Sequence, residues 1–159
     1  MSIEVGSKAP DFKLFNSDKE PVTLSEMQGK KNVLLLFFPM AFTGVCTAEL
    51  CSVRDDIGKY DNETTQVYGI SVDSVFTLEN FKAQQNYNYP LLSDFNKEVS
   101  TAYGCIYESF TGMDLKGVSK RSAFIIDREG VVQYAEVLES AGDVPNFSSI
   151  DEKIGRAHV

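Results

Sequence analysis

Hydrophobic positions along the chain change between continuous runs, weak alternation and helical spacing. Val33-Leu34-Leu35-Leu36-Phe37-Phe38 is an unbroken apolar run closed by Pro39, the pattern of a strand buried on both faces. Gln66–Val72 (QVYGISV) and Ser122–Ile126 (SAFII) are two further β-rich runs. After the second, Asp127-Arg128-Glu129-Gly130 makes a turn and Val131–Val137 returns, which reads as an antiparallel hairpin. Ala9–Leu14 alternates weakly and predicts a short edge strand, with Pro21–Leu24 as its partner. Helical patterns fill the intervals. One runs from Thr43 to Tyr60. With Cys46 at zero on a wheel of ~100° per residue, Leu50, Val53, Ile57 and Tyr60 fall within about 40° of it. Cys46 therefore opens the inward stripe. Ser74–Gln85 predicts a second helix, with Val75, Leu78, Phe81 and Lys82 at helical spacing, Ser74 as cap and Glu79 as first-turn charge. Lys97–Tyr103, before Gly104, predicts a short third. Parallel central strands, crossover helices and a terminal hairpin indicate an α/β protein: a central mixed β-sheet with helices on both faces.

Length and charge narrow the class. The 159 residues are 43% hydrophobic and 24% charged, which suits one domain with a substantial core. Fifteen Lys+Arg against 23 Asp+Glu give a net charge of −8, which argues against nucleic acid and anionic membrane as partners. No apolar run approaches a membrane span, and MSIEVGSKAP lacks the apolar core of a secretory signal. A cytoplasmic chain is expected, in which the Asn62-Glu63-Thr64 triplet carries no glycan. The last six residues, IGRAHV, look like a translated adapter end and are set aside as a non-native tail, leaving residues 1–153 as a single domain. His158 lies in that tail, so nucleophile schemes that need an imidazole base have none.

Chemistry concentrates in Pro39-Met40-Ala41-Phe42-Thr43-Gly44-Val45-Cys46. A buried strand ends, a short loop follows, and a cysteine sits in the first turn of a helix. The unpaired N–H groups there stabilise a thiolate, and the thiolate is the nucleophile. Holding a thiol ionised about 2.5 pKa units below its ordinary value takes roughly 3.4 kcal/mol. A helix end gives ~0.3–1 kcal/mol, or about 2 when partly buried. A cation is therefore needed, and Arg121, just before the Ser122 strand, and Arg54, on the same helix, are the candidates. Glu49 is placed to anchor either by a carboxylate fork. Taken singly, each residue has an ordinary reading: Cys46 as core, Thr43 as N-cap, Arg121 as a solvated strand-end charge and Glu49 as a solvated acid.

Together they resemble a known family. FFPMAFTGVCTAELCSVRD is similar to the peroxiredoxins, whose Pro-x-x-x-Thr-x-x-Cys element falls on Pro39, Thr43 and Cys46. KRSAFIID resembles the family's arginine-bearing strand and puts the active-site arginine at Arg121. The likeness runs from about Gly6 to Val137. It implies a thioredoxin-like fold with an N-terminal extension and reduction of hydrogen peroxide and organic hydroperoxides through a Cys46 sulfenic acid. It also implies no metal or cofactor, a thioredoxin-like or other thiol reductant, and a homodimer, for which Phe42, Phe95 or Phe110 could supply apolar surface. On the same basis Pro39 shields the sulfur. Thr43, the Val45 and Cys46 N–H groups and Arg121 stabilise the peroxide oxygens.

The second thiol is open. Cys46-x-x-x-x-Cys51 resembles the peroxiredoxin Q, or bacterioferritin-comigratory, group, in which the later cysteine resolves the sulfenate. Five residues along an intact helix differ by ~140°, which puts their Cα atoms about 8.6 Å apart. A disulfide tolerates at most ~7 Å, so the Cys46 turn must unwind first. AFTGVC and LLSDF instead resemble the alkyl hydroperoxide reductase E group, in which an external thiol resolves. Cys105 is a third possibility, expected to be buried. The segments Gly-Gly-Leu-Gly and Tyr-Phe, associated with easy overoxidation, are missing from the chain. Outside the peroxidase class stand a protein thiol–disulfide oxidoreductase, which would exchange disulfides without consuming peroxide, and a thioredoxin-like redox sensor or binding module, which would react slowly with it.

Overall fold

The computed structural model describes residues 3–157. Among the described residues seven strands form one sheet, in the spatial order Pro21–Thr23, Lys13–Asn16, Leu91–Ser93, Thr65–Ser71, Asn32–Phe37, Ser122–Ile126 and Val132–Val137. At its centre β3 (Asn32–Phe37) is buried along its whole length. It pairs in parallel with β4 (Thr65–Ser71) and antiparallel with β6 (Ser122–Ile126). The turn at Gly130, with φ +82°, returns β6 into β7 (Val132–Val137) as the expected hairpin. On the other side β5 (Leu91–Ser93) continues the parallel set beside β4. The N-terminal pair β1 (Lys13–Asn16) and β2 (Pro21–Thr23) completes the sheet.

The sheet divides two cores. Leu34, Leu36 and Phe38 face α1 (Gly44–Asp55), α2 (Val75–Gln85) and α4 (Phe147–Ala157) through Leu50, Val53, Leu78, Phe81 and Ile150. Val33, Leu35 and Phe37 face the opposite way, onto α3 (Glu98–Ala102) and the chain around Tyr103 and Cys105. Helices thus cover both faces, as expected of a thioredoxin-like α/β fold. Gly69 makes room for a β5 side chain: a Cβ there would lie 2.8 Å from Leu91 Cδ2, while the Phe38 ring at 3.5 Å and Leu50 Cδ2 of α1 at 3.7 Å would be in ordinary contact.

Several boundaries depart from the pattern reading. The first strand begins at Lys13 rather than Ala9, because Asp11 turns its carboxylate onto the N–H groups of Phe12 and Ser25. It lies inside the sheet, and β2 forms the edge. Helix α1 ends at Asp55, not Tyr60; a separate 3₁₀ turn, Ile57–Lys59, carries the chain on past Gly58. Even so, the expected stripe is buried at Cys46, Leu50, Val53 and Tyr60. Ser74 caps α2 through Thr77 N–H, but Glu79 lies beyond the first turn and pairs with Lys19 at 3.0 Å. Ile154 on α4 is buried against the first core, while His158 lies outside the described residues.

Candidate active site

The antiparallel register of β3 and β6 sets Phe37 opposite Ser122. The start of β6 therefore lies beside the end of β3, where the loop to α1 departs. Pro39 is buried at that departure and has no N–H that would extend the ladder. Thr43 occupies the N-cap position of α1, but its hydroxyl donates to the Met40 carbonyl at 2.7 Å instead of capping the helix. That bond tightens the loop and leaves the Thr43 oxygen as an acceptor. The helical ladder starts with Thr47 N–H on the Thr43 carbonyl. The N–H groups of Val45 and Cys46 thus belong to the first turn, ahead of it.

Arg121 crosses this gap. It is 1% exposed, as is Cys46. One Nη2 hydrogen bond reaches Cys46 Sγ at 3.3 Å and another reaches the Ala141 carbonyl at 3.0 Å. Nη1 donates to Glu49 Oε1 at 2.7 Å. Glu49, 2% exposed, stands one turn after Cys46 on the same face of α1 and is no solvated acid. It holds Arg121 by one oxygen rather than by a fork; among the described residues Glu49 Oε2 and Arg121 Nε have no partner. Burial pushes the Glu49 carboxyl up to about 7, although the charge and hydrogen bond of Arg121 pull it down. Burial likewise works against the guanidinium, but Glu49 and Cys46 outweigh it, so Arg121 is raised and stays charged. One cation thus serves two potential anions, all three side chains being almost fully buried.

Arg54, the other candidate cation, is turned away, onto Asp55 at 3.0 Å and the Gln85 carbonyl at 2.5 Å. Cys51 is half-buried on α1 with Gln85 Oε1 at 3.6 Å and Tyr87 Oη at 3.7 Å. Cys105 is buried in the core on the far side of the sheet. Its thiol is pushed up to about 12 by burial, only partly offset by a hydrogen bond with Ser122. Access to Cys46 is through an open cleft of about 540 Å³ bounded by Thr43, Val45, Tyr107, Phe110, Arg121 and Ala141. The wall contributed by Tyr107 and Phe110, whose rings stack at 5.2 Å, and the Ala141 carbonyl carry no sequence signal of their own.

A nearly sealed cysteine at a helix start, under a fixed guanidinium on a thioredoxin-like sheet, defines a thiol-redox enzyme. A family model described as AhpC/TSA matches residues 5–135. Alkyl hydroperoxide reductase E of Mycobacterium tuberculosis is 39% identical over 144 residues, covering 89% of this chain and 90% of that protein. Among solved structures, peroxidoxin BcpB from Mycobacterium tuberculosis has a TM-score of 0.81 at 29% identity, covering 98% and 97% of the two chains. A mutant of Xylella fastidiosa PrxQ has a TM-score of 0.86 at 22% identity, covering 100% and 99%, a likeness of fold. The chain belongs to the AhpC/TSA family, the peroxiredoxins, and is a thiol-dependent peroxidase.

Proposed function

We propose that Cys46 is the peroxidatic cysteine for hydrogen peroxide and organic hydroperoxides. The observation that carries this reading is the 3.3 Å contact between Arg121 Nη2 and Cys46 Sγ, with both groups buried. The thiolate attacks the terminal peroxide oxygen in line. A sulfur–oxygen bond forms, the oxygen–oxygen bond breaks, and the leaving alkoxide or hydroxide takes a proton to become alcohol or water. Negative charge builds on both oxygens. Arg121 and the first-turn N–H groups stabilise it, the Thr43 oxygen accepts the peroxide hydrogen, and Pro39 helps exclude water.

Cys51 then attacks the sulfenic sulfur. A disulfide forms, water leaves, and a thioredoxin-like dithiol returns both cysteines to thiols. The helix must unwind around Cys46 for this, since five intact residues separate the Cα atoms by about 8.6 Å. A second reading, resolution by an external thiol, draws support from the packing of Cys51 against Tyr87 and Gln85. The exposed Phe42 and Phe95 suit a homodimer contact, whereas Phe110 is half-buried. Three free thiols suit a cytoplasmic, reducing setting.

Mixing reduced protein with hydrogen peroxide and counting thiols over milliseconds to seconds tests the cycle. Wild type loses two thiols and forms one disulfide. Cys46→Ser loses none, and Cys51→Ala stops at the sulfenic acid. Rapid thiol loss in Cys46→Ser overturns the assignment of Cys46, and a disulfide that persists in Cys51→Ala overturns that of Cys51.

A further inference from the structure

Cys46 is 1% exposed, yet once oxidised it must meet a thiol, whether from this chain or from another. Opening of the turn around it is therefore part of the cycle, and so is whatever holds that turn shut. Two features bear on this. Phe42, immediately before the N-cap Thr43, has φ +67°, a conformation that bulky L residues rarely adopt. Its half-exposed ring is held against buried Phe81, with centroids 5.0 Å apart. One residue earlier, Ala41 N–H donates to Asp73 Oδ2 at 2.8 Å. The same carboxylate oxygen accepts from Ser71 Oγ at 2.7 Å, and the Asp73 carbonyl accepts from Ser93 Oγ at 2.6 Å. Asp73 is thus fixed to the ends of β4 and β5 and reaches sideways to the loop that leaves β3.

A strained residue beside a charge-assisted clasp has two natural states. In the closed state the carboxylate holds Ala41 and keeps Phe42 in the left-handed region. In the open state the clasp is broken and Phe42 relaxes to extended backbone. We propose that Asp73 is a positioning residue for the peroxidase cycle: its bond to Ala41 N–H latches the Phe42 turn and sets how often the Cys46 turn opens to a resolving thiol. Among the described residues it makes no hydrogen bond to Cys46 or Arg121, so it acts through the loop. The proposal rests on Cys46 being the peroxidatic cysteine, and it holds for either source of the resolving thiol.

A latch affects the two half-reactions in opposite directions. Peroxide attack needs the closed turn, and thiol attack on the sulfenic acid needs the open one. The test uses the full chain as Asp73→Ala and Asp73→Asn, each also combined with Cys51→Ser. Three quantities are read: the rate constant with hydrogen peroxide, the rate at which a small external thiol consumes preformed sulfenic acid, and amide hydrogen exchange at Ala41. In Asp73→Ala the second rises about tenfold and Ala41 exchange speeds by a similar factor, as expected for loss of one hydrogen bond to a charged acceptor, whereas the first, which follows the closed population, falls by less than about twofold. Asp73→Asn, which keeps an acceptor oxygen, lies between wild type and Asp73→Ala and remains informative if the alanine variant folds poorly. Both rates falling together, or Ala41 exchange unchanged, overturns the latch. Exchange reads the clasp without peroxide, so a wild-type protein inert at Cys46 would refute the peroxidatic assignment while leaving the latch separately measurable.

Discussion

Replacing Arg121 by methionine deletes the charge while keeping much of the apolar stem. The contact to Cys46 Sγ is 3.3 Å long. At that distance and an effective dielectric of ~20, guanidinium and thiolate attract by roughly 5 kcal/mol before desolvation is set against it. The net value of a hydrogen bond to a charged group is about 1.5–3 kcal/mol, which corresponds to a loss of about 10- to 150-fold in the rate constant with peroxide at neutral pH. The substitution also strands Glu49, and removing one partner of a buried pair costs ~3–5 kcal/mol when the other stays charged. Glu49 escapes part of that cost by protonation. Burial already pushes its carboxyl up to about 7 with Arg121 present, and loss of the cation pushes it further. The double variant Glu49→Gln/Arg121→Met should therefore recover stability without recovering rate. Competition with a haem peroxidase for hydrogen peroxide gives the rate constant, and urea melts at pH 6 and 8 give the stability. A rate constant for Arg121→Met within about threefold of wild type, in a protein that melts normally, would refute the electrostatic account.

Glu49 also predicts a pH dependence of stability. Its carboxyl is raised from the ordinary 4.5 to about 7 in the folded chain, so the native state binds this proton more tightly than the unfolded state does. The contribution is complete below about pH 4.5 and is lost as pH rises through about 7. The urea midpoint of wild type relative to Glu49→Gln should fall across that window, and a flat difference contradicts the assignment. Cys105, held up to about 12 by burial, should resist a disulfide reagent at pH 8 until the protein unfolds; rapid labelling of native protein would show the thiol to be accessible after all. Tyr60 donates to Asp151 Oδ1 at 2.7 Å and ties α4 to the 3₁₀ turn that follows α1. Tyr60→Phe should cost about 1 kcal/mol in chemical denaturation and leave peroxide consumption unchanged.

What the pattern of residues made legible was whatever had length or a covalently fixed spacing. The run Val33–Phe38 announced the central strand because a double-sided burial leaves no polar position. Cys46, Leu50 and Val53 announced the inner face of α1 because helical spacing alone aligns them. Strand β5 escaped because three residues between Pro90 and Asp94 are too few to show a period. Helix α4 carries Phe147, Ile150 and Ile154 at helical spacing, but the series is cut when residues from 154 onward are set aside. At the site, the choice between Arg121 and Arg54 was decided by sheet register, which brings the start of β6 to the end of β3. No local signal could supply that. The Ala141 carbonyl and the Asp73 clasp were equally silent, since a backbone acceptor carries no residue identity and a lone aspartate after a strand has many uses.

The three cysteines illustrate how one sheet assigns different chemistry to the same side chain. Cys46 and Cys105 are both essentially sealed, at 1% and 0% exposure, so burial alone cannot separate them. Cys105 lies in the core opposite Cys46, among Phe37, Tyr103 and Phe124, where desolvation dominates and the thiol stays protonated. Cys46 lies where β3 ends and α1 begins, at an edge of the other core reached by the guanidinium of Arg121 from just before β6. The sheet also stands between them, so an oxidised Cys46 cannot draw on Cys105 without disrupting β3 and β6. A resolving thiol within this chain would come from the Cys46 side of the sheet, and Cys51, ~140° around α1 from Cys46, is the other cysteine on that helix. Loop opening rather than sheet rearrangement is therefore the motion the fold permits, and the strength of the contacts holding Pro39–Thr43 in place decides how readily the sulfenic acid is resolved before a second peroxide reaches it.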